Sequence, residues 1–427
     1  MKSSGATAGI TLLFLASIHA ASYSITDLGT LGGSQSDAFG INASGLVVGR
    51  AATTGNATFD PVLFGSSNAD LGTFGGAINQ ANAVNSSGAI VGSSALPGNT
   101  SAHAFVALGH TLVDLGTLGG ASSYAHGIND AGQIVGYAQT GATTHAFRYQ
   151  NGKMNDLGAL FGAGSSFGYG INAAGYVVGE SIGGSIHAFL ENGVTMIDLG
   201  YLATGNTAIA YAINDNNQIV GSSNLVTNGT TIHAFLYQNG AMSDLGALSS
   251  GNNATAYAIN NSSQIVGSSN LTASGATYHA FLSQGGQMTD LNDLIPANSG
   301  WVLNSARAIN AAGQIAGSGT LNGQTRAFLL TPTASPTPSS EPPRIYVNGA
   351  RRVTTTRSSV RVEGSVGGTV SAVKYRVGGK GSYRAARGVT GWRFRAKLQP
   401  GRNIVQVIAV GPTGNASRPA KVVIIRQ

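Results

Sequence analysis

The chain of 427 residues contains no cysteine. That excludes disulfides, thiolate metal ligands, thiol catalysis and a lipid-modified N-terminal cysteine. Charge is also scarce. Asp, Glu, Lys and Arg make up 9% of the residues, against about 25% in ordinary globular chains. Hydrophobic residues still reach 42%, so the low charge does not mark a disordered polar chain. No integral membrane span is expected, because no apolar run beyond the N-terminus is long enough for a spanning helix. Glycine, by contrast, is abundant at 63 residues, roughly twice the usual share. Gly, Ala, Asn, Ser and Thr with few charges suit short strands, tight turns and closely packed sheets. Without disulfides, a large hydrophobic core is expected to hold such a fold.

The N-terminus reads as a targeting segment. Lys2 precedes the apolar stretch "ITLLFLASI" and the small residues of "HAAS", the pattern of a secretory signal peptide. The signal is assigned to residues 1–20, with cleavage after Ala20 or Ala21. The mature chain is then expected to be secreted or at the cell surface, with the periplasm as the alternative. The net charge of +7 conceals two opposite halves. Residues 21–331 hold five Lys/Arg and fourteen Asp/Glu, whereas residues 344–427 hold seventeen Lys/Arg and one acid, Glu363. So basic a module calls for an acidic partner.

The sequence repeats itself. "DLG" or "DLN" begins at Asp27, Asp70, Asp114, Asp156, Asp198, Asp244 and Asp290, spaced by 43, 44, 42, 42, 46 and 46 residues. An Asn follows Ile or Val at Asn42, Asn85, Asn129, Asn172, Asn214, Asn260 and Asn310, and a Gly stands seven residues after each. His-Ala-Phe occurs at His103, His145, His187, His233 and His279, becomes Arg326-Ala327-Phe328 at the end, and decays to Phe59-Asp60-Pro61 at the start. Each unit reads as four short strands, as in "TAYAIN", "QIVGSS", "HAFLSQ" and "QMTDLN". Four strands per 42 to 50 residues is the period of a propeller blade. The chain enters at a fourth strand, "SYSITDLG", and leaves at a third, "RAFLL". The two ends complete one another, so the prediction is all-β: a seven-bladed β-propeller of four-stranded blades, its ring closed by the N-terminal strand, over residues 21–331. A β-solenoid is the rival, disfavoured by the Asn239-Gly240 hairpin signal and the complementary ends.

The unit "DLGTLGG…A…IN..GQIVG…HAF…G.M.DLG" resembles the HAF family of extracellular bacterial repeat proteins. "DLGTLGG" is intact at Asp27–Gly33 and Asp114–Gly120, and the resemblance covers about residues 23 to 331. It implies secretion and repetition, and no established activity. Some members end in a membrane sorting tail; no such anchoring is expected from these residues.

A His and an Asp eleven residues apart could signal metal binding or acid–base chemistry. Pairing the strands about Asn239-Gly240 sets Phe235 opposite Asp244 and His233 opposite Gly246, with His233 and Asp244 on one face. The same pair recurs as His103/Asp114, His145/Asp156, His187/Asp198 and His279/Asp290. One imidazole and one carboxylate are too few for a metal, and no serine recurs as a third member. These residues are therefore read as buried structural pins, with Arg326 and Asp27 predicted to meet as their equivalent. The Asn of "IN" is read as a turn residue bonding its own backbone, and the "LGG" glycines as permitting tight crossings between blades. No catalytic residue, metal or cofactor is assigned.

A ligand is sought instead where the repeat fails to repeat. Two and four residues before each "IN" Asn, only Gly or Ala occurs. Three before it stand Phe39, Asn82, His126, Tyr169, Tyr211, Tyr257 and Arg307, and five before it stand Asp37 and Tyr124 among others. The candidate binding set is Asp37, Phe39, Asn82, Tyr124, His126, Tyr169, Tyr211, Tyr257 and Arg307, at one mouth of the channel. The loops before the His-Ala-Phe strands should open on the same rim. Packing of these side chains between blades is the competing expectation.

Residues 332–343 form a Pro-rich linker. Residues 344–427 hold seven strand candidates, which suggests a β-sandwich. The stretch "GWRFRAKLQPGRNIVQVIAVGPTGNAS" resembles Ig-like modules appended to bacterial secreted proteins, which implies spacing or attachment. The expected partners are an extracellular glycan or peptide at the propeller mouth and an anionic envelope polymer at the basic module. Nucleic acid is disfavoured, because no recognition motif occurs. The function expected is secreted or cell-surface binding and adhesion; the alternatives are a propeller glycan hydrolase or a purely structural surface-layer component.

Overall fold

The computed structural model describes residues 22–333 and 344–427, apart from 110, 274, 276, 349–351, 368–369, 379–381, 389–390 and 411–415. The signal segment expected at 1–20, and all but the first two residues of the linker, lie outside the described residues. The described chain is all-β, with two short 3-10 turns and no α-helix. No described helix is long and apolar enough to cross a membrane. The chain divides into two compact units, Met1–Thr333 and Ala334–Gln427.

The first unit holds seven four-stranded antiparallel sheets. Six are built from four consecutive strands, for example Ser123–Ile128, Ile134–Gln139, Thr144–Gln150 and Lys153–Asp156. The seventh takes three strands, Trp301–Ile309, Ile315–Leu321 and Gln324–Pro332, from the end of the unit and Tyr23–Asp27 from its start. Asp27 then stands opposite Phe328, as Asp244 stands opposite Phe235. Local chemistry sets the hairpins. Asn239 and Gly240 both take positive φ, 54° and 78°, as a type I′ turn requires.

The hydrophobic burial differs from the single large core expected. It is divided into seven clusters, each straddling two neighbouring sheets. Ala38 and Val47 of one sheet pack with Ala316 and Ala327 of the seventh, so the series returns to its beginning. Sheets rich in Ala and Gly approach closely enough to share small clusters, and the His-Ala-Phe phenylalanines fill them. Phe105, Phe147, Phe189, Phe235, Phe281 and Phe328 are all fully buried.

The "IN" asparagines do more than the turn role expected of them. Asn214 Oδ1 accepts from the backbone N–H of Asn216 and Gln218 at 3.0 and 2.9 Å, which is the predicted local capping. Its Nδ2 also donates to the Asn260 carbonyl of the next sheet at 3.0 Å. The same bond runs from Asn42 to Asn85, Asn85 to Asn129, Asn129 to Asn172, Asn172 to Asn214 and Asn260 to Asn310. Asn310 then donates to the Asn42 carbonyl at 3.1 Å, closing a cycle of seven.

The described residues of the second unit form two sheets. One contains Arg344–Val347, Ser359–Gly367 and Gly391–Lys397; the other has five strands with Gly401–Val410 at its centre. Val362, Trp392, Phe394, Val405 and Ile424 belong to one cluster drawn from both. Arg352–Thr355, absent from the seven sequence candidates, pairs in parallel with Ala420–Arg426.

Candidate functional site

The unrepeated side chains share a structural cause. In every sheet of the first unit the register between the first and second strands shifts at the residue three before the Asn. Phe39, Asn82, His126, Tyr169, Tyr211, Tyr257 and Arg307 are therefore the extra residues of seven β-bulges. A bulge leaves its residue out of the ladder and re-aims its side chain. It also explains the recurring Gly on the second strand. A Cβ on Gly221 would lie 1.9 Å from the Ile209 carbonyl oxygen and 2.8 Å from the Phe235 ring, and the six equivalent glycines are equally confined.

Bulge residues of successive sheets touch. His126 meets Tyr169 edge-on at 5.3 Å between ring centroids. Tyr169 and Tyr211, then Tyr211 and Tyr257, follow at 5.5 Å each. The Arg307 guanidinium lies 4.0 Å from the Tyr257 ring centroid. This makes a continuous arc of five, every member half-buried. Tyr124 extends it through Tyr137, whose ring lies 5.0 Å from Tyr124 and stacks on His126 at 5.3 Å. Asn82 reaches the arc by donating to the Ala125 carbonyl at 2.7 Å. Asp37 and Phe39 lie outside this chain of ring contacts. Asp37 pairs with Arg50 at 2.9 Å, and Arg50 also covers the Phe39 and Phe59 rings.

A cavity of about 270 Å³ opens beside the arc, lined by Gln80, Ser93, Tyr124, His126, Tyr137 and the loop Asn99–Ala102 among others. That loop precedes His103, so a His-Ala-Phe loop and the unrepeated residues do open on one side here. Of the predicted set, only Tyr124 and His126 line this cavity; Tyr169, Tyr211, Tyr257 and Arg307 continue away from it along the arc.

Burial sets the protonation states. Desolvation lowers His126 to about 4, and its Nε2 is enclosed without a hydrogen-bond partner. The ring is neutral at pH 7. Burial lifts Tyr137 and Tyr211 to about 12 and Tyr169 upward as well. Glu180 is raised by burial, partly offset by the Tyr169 hydroxyl, which donates to it at 2.7 Å. The sequence reading missed Glu180, Tyr137 and Arg50. They occupy the position just after the recurring Gly, where the sheets also differ: Arg50, Ser93, Tyr137, Glu180, Ser222, Ser268 and Ser318. That variation was the available signal.

The structure brings each His–Asp pair together through Nδ1: His103–Asp114 at 2.7 Å, His145–Asp156 at 2.9 Å, His187–Asp198 at 2.8 Å, His233–Asp244 at 2.9 Å and His279–Asp290 at 2.6 Å. Arg326 meets Asp27 through two bonds, Nη2–Oδ2 at 2.9 Å and Nε–Oδ1 at 3.3 Å. Two details differ from expectation. The Ala234/Phe235 register shift places Ala234, not His233, opposite Gly246. The pairs are also less buried than expected, with most of the Asp side chains more than 40% exposed. Each Asp gains a second role, accepting from the N–H two residues on, as Asp244 does from Gly246 at 2.7 Å. In the first sheet the match to His-Ala-Phe shifts by one residue. Asp60 stands opposite Ala51 and Val62 opposite Asp70, so Asp60 replaces the His and Pro61 the Ala. Burial and then the Asp70 charge raise the Asp60 pKa. Among the described residues no group of three or more His, Cys, Asp or Glu is placed to hold a metal ion.

A family described as "Protein of unknown function (DUF3466)" matches residues 195–333. No curated protein matches the chain. Among solved structures, the chain is similar to an extracellular domain from B. thetaiotaomicron described as belonging to a hybrid two component system. The identity is 13% and the TM-score 0.39, with 96% of this chain and 56% of that one covered. It is also similar to a fungal alcohol oxidase of the AA5 family, solved in complex with copper, at 11% identity and a TM-score of 0.45, covering 95% and 99% of the two chains. Fibronectin(III)-like modules of Clostridium thermocellum CbhA match at 18% identity with a TM-score of 0.17, covering 20% of this chain and 96% of theirs.

Proposed function

We propose that the first unit is a seven-bladed β-propeller whose bulge arc binds an extracellular glycan or extended peptide. The second unit, on this reading, is a cationic Ig-like module that attaches the protein to an anionic surface polymer. The cycle of asparagine bonds supports the propeller. One observation carries the binding reading: the bulges present unrepeated side chains on a regular scaffold, and five of them, from His126 to Arg307, run in one row beside a polar and aromatic cavity. A scaffold needs the same residue at each equivalent position. Recognition needs different ones, with aromatic faces for apolar contact and amide and hydroxyl groups for orientation. The aromatic faces favour a glycan. The hydrolase alternative needs free carboxylates, and Asp37 and Glu180 are both engaged, by Arg50 and Tyr169. The test is a glycan and peptide array probed with the full chain, followed by titration of the best ligand. Tyr211→Ala should weaken binding about tenfold or more, while His233→Ala, at a pin, should leave it unchanged. A chain that retains no glycan or peptide, or loses binding equally in both variants, would overturn the reading.

A further inference from the structure

The second unit contains an open cavity of about 510 Å³ whose lining includes Arg361, Arg387, Arg393 and Arg395, with Tyr375 and Phe394. The strand pairing forces these arginines together. Arg361 is the register partner of Arg395. Arg387 and Arg393 face one another across a bridge with two reciprocal backbone bonds of 2.9 Å. Like charges directly opposite on neighbouring strands destabilise a sheet. One carboxylate is at hand: Glu363 stands opposite Arg393 in the register, but its Oε2 is taken by Arg361 at 2.8 Å. Arg387, Arg393 and Arg395 thus have no carboxylate partner among the described residues, and all three are exposed.

We propose that this cavity is a specific oxyanion site for a carboxylate- or sulfate-bearing polysaccharide. It rests on the attachment reading above and gives that reading an address. Planar guanidinium forks bind carboxylate and related oxyanions in two-point fashion. Arginines on adjacent strands, about 5 Å apart, offer several forks to neighbouring groups on one polymer. Nucleic acid fits less well. The aromatic pair at the site stacks on itself, with Tyr375 and Phe394 3.7 Å apart and 7° from parallel, and Phe394 is buried. A stacking platform for bases needs a free ring face.

The test uses the full chain, with polygalacturonate, dextran sulfate and a charge-matched DNA duplex as probes at two salt concentrations. The double variant Arg393→Gln/Arg395→Gln is compared with Arg352→Gln/Arg402→Gln, which removes the same charge away from the cavity. The expected result is glycan binding weakened about tenfold or more by the first pair and less than about twofold by the second, with the unfolding midpoint lowered by neither pair. The tighter of the two glycans names the oxyanion. Equal weakening by both pairs overturns the site and leaves diffuse attachment standing. No binding of either glycan by the wild type overturns both. DNA bound as tightly as the glycans, with the same dependence on Arg393 and Arg395, overturns the polysaccharide assignment.

Discussion

His126 and Gly221 show how tightly single residues are held by the bulges. His126 is kept neutral down to about pH 4 by desolvation, against an ordinary value of 6.5. A depressed histidine pKa means that the unfolded chain takes up the proton first. The stability it carries is full above pH 6.5 and drains away as pH falls toward 4, amounting to roughly 2–3 kcal/mol. In urea titrations from pH 7.5 to 4, wild type should lose that much more stability than His126→Phe, which keeps a ring and cannot titrate. Parallel pH profiles would mean that the imidazole is solvated. Gly221 makes the opposite kind of demand. Gly→Ala in a strand ordinarily stabilises by about 0.5–1 kcal/mol through chain entropy. Here the new methyl would strike the Ile209 carbonyl and the Phe235 ring. Gly221→Ala should therefore destabilise by about 3 kcal/mol or more, read as a lower urea midpoint at constant slope; a neutral or stabilising effect would contradict the bulge.

At the scale of elements, the turn after the first strand joins local and long-range order. Asn214 is nearly fully buried and serves two backbone donors of its own turn and one carbonyl of the next sheet. Asn214→Ala strands all three, and should cost about 2–4 kcal/mol, measured by chemical denaturation. A loss below 1 kcal/mol would mean that water takes over the bonds. The local half of this role was legible in the sequence, because an Asx turn is written within a few residues. The other half was not, because its acceptor lies 46 residues away. The same divide runs through the rest. The four-strand unit, the Asn239-Gly240 hairpin and the meeting of each His with its Asp follow from period and turn chemistry. The bulges do not, since "TAYAIN" alternates small and large like any strand and reveals an extra residue only against its partner. The unrepeated residues were visible by comparing copies, but their neighbours Tyr137 and Glu180 sit on the adjacent strand, where "IVG" hid the variable position behind a constant one. In the first sheet, "FDP" was aligned with Phe59 in the place of the His, whereas the register puts Asp60 there, with Val62 facing Asp70.

For the whole first unit, stability depends on whether the chain ends meet. Its hydrophobic burial is parcelled between neighbours, so no sheet has a core of its own. The cluster joining Ala38 and Val47 to Ala316 and Ala327 is needed for the others to close around. The strand Tyr23–Asp27 supplies the seventh sheet's outer edge, and Ser24 pairs there with Thr331. Cross-strand partners in an antiparallel pair have Cα atoms about 4.5–5.5 Å apart, within the range a disulfide spans. The absence of native cysteine makes the experiment clean, because Ser24→Cys/Thr331→Cys contains two thiols and no competitor. On oxidation this variant should form an intramolecular disulfide, migrate as a compact monomer without reductant, and gain about 2–4 kcal/mol against urea. Reductant should abolish the gain. A control, Ser24→Cys/Thr255→Cys, places the second thiol in a different sheet and should remain reduced. If the first variant instead yields only disulfide-linked dimers, the ends do not meet within one molecule, and the cyclic arrangement of sheets, with the bulge arc built on it, fails with them.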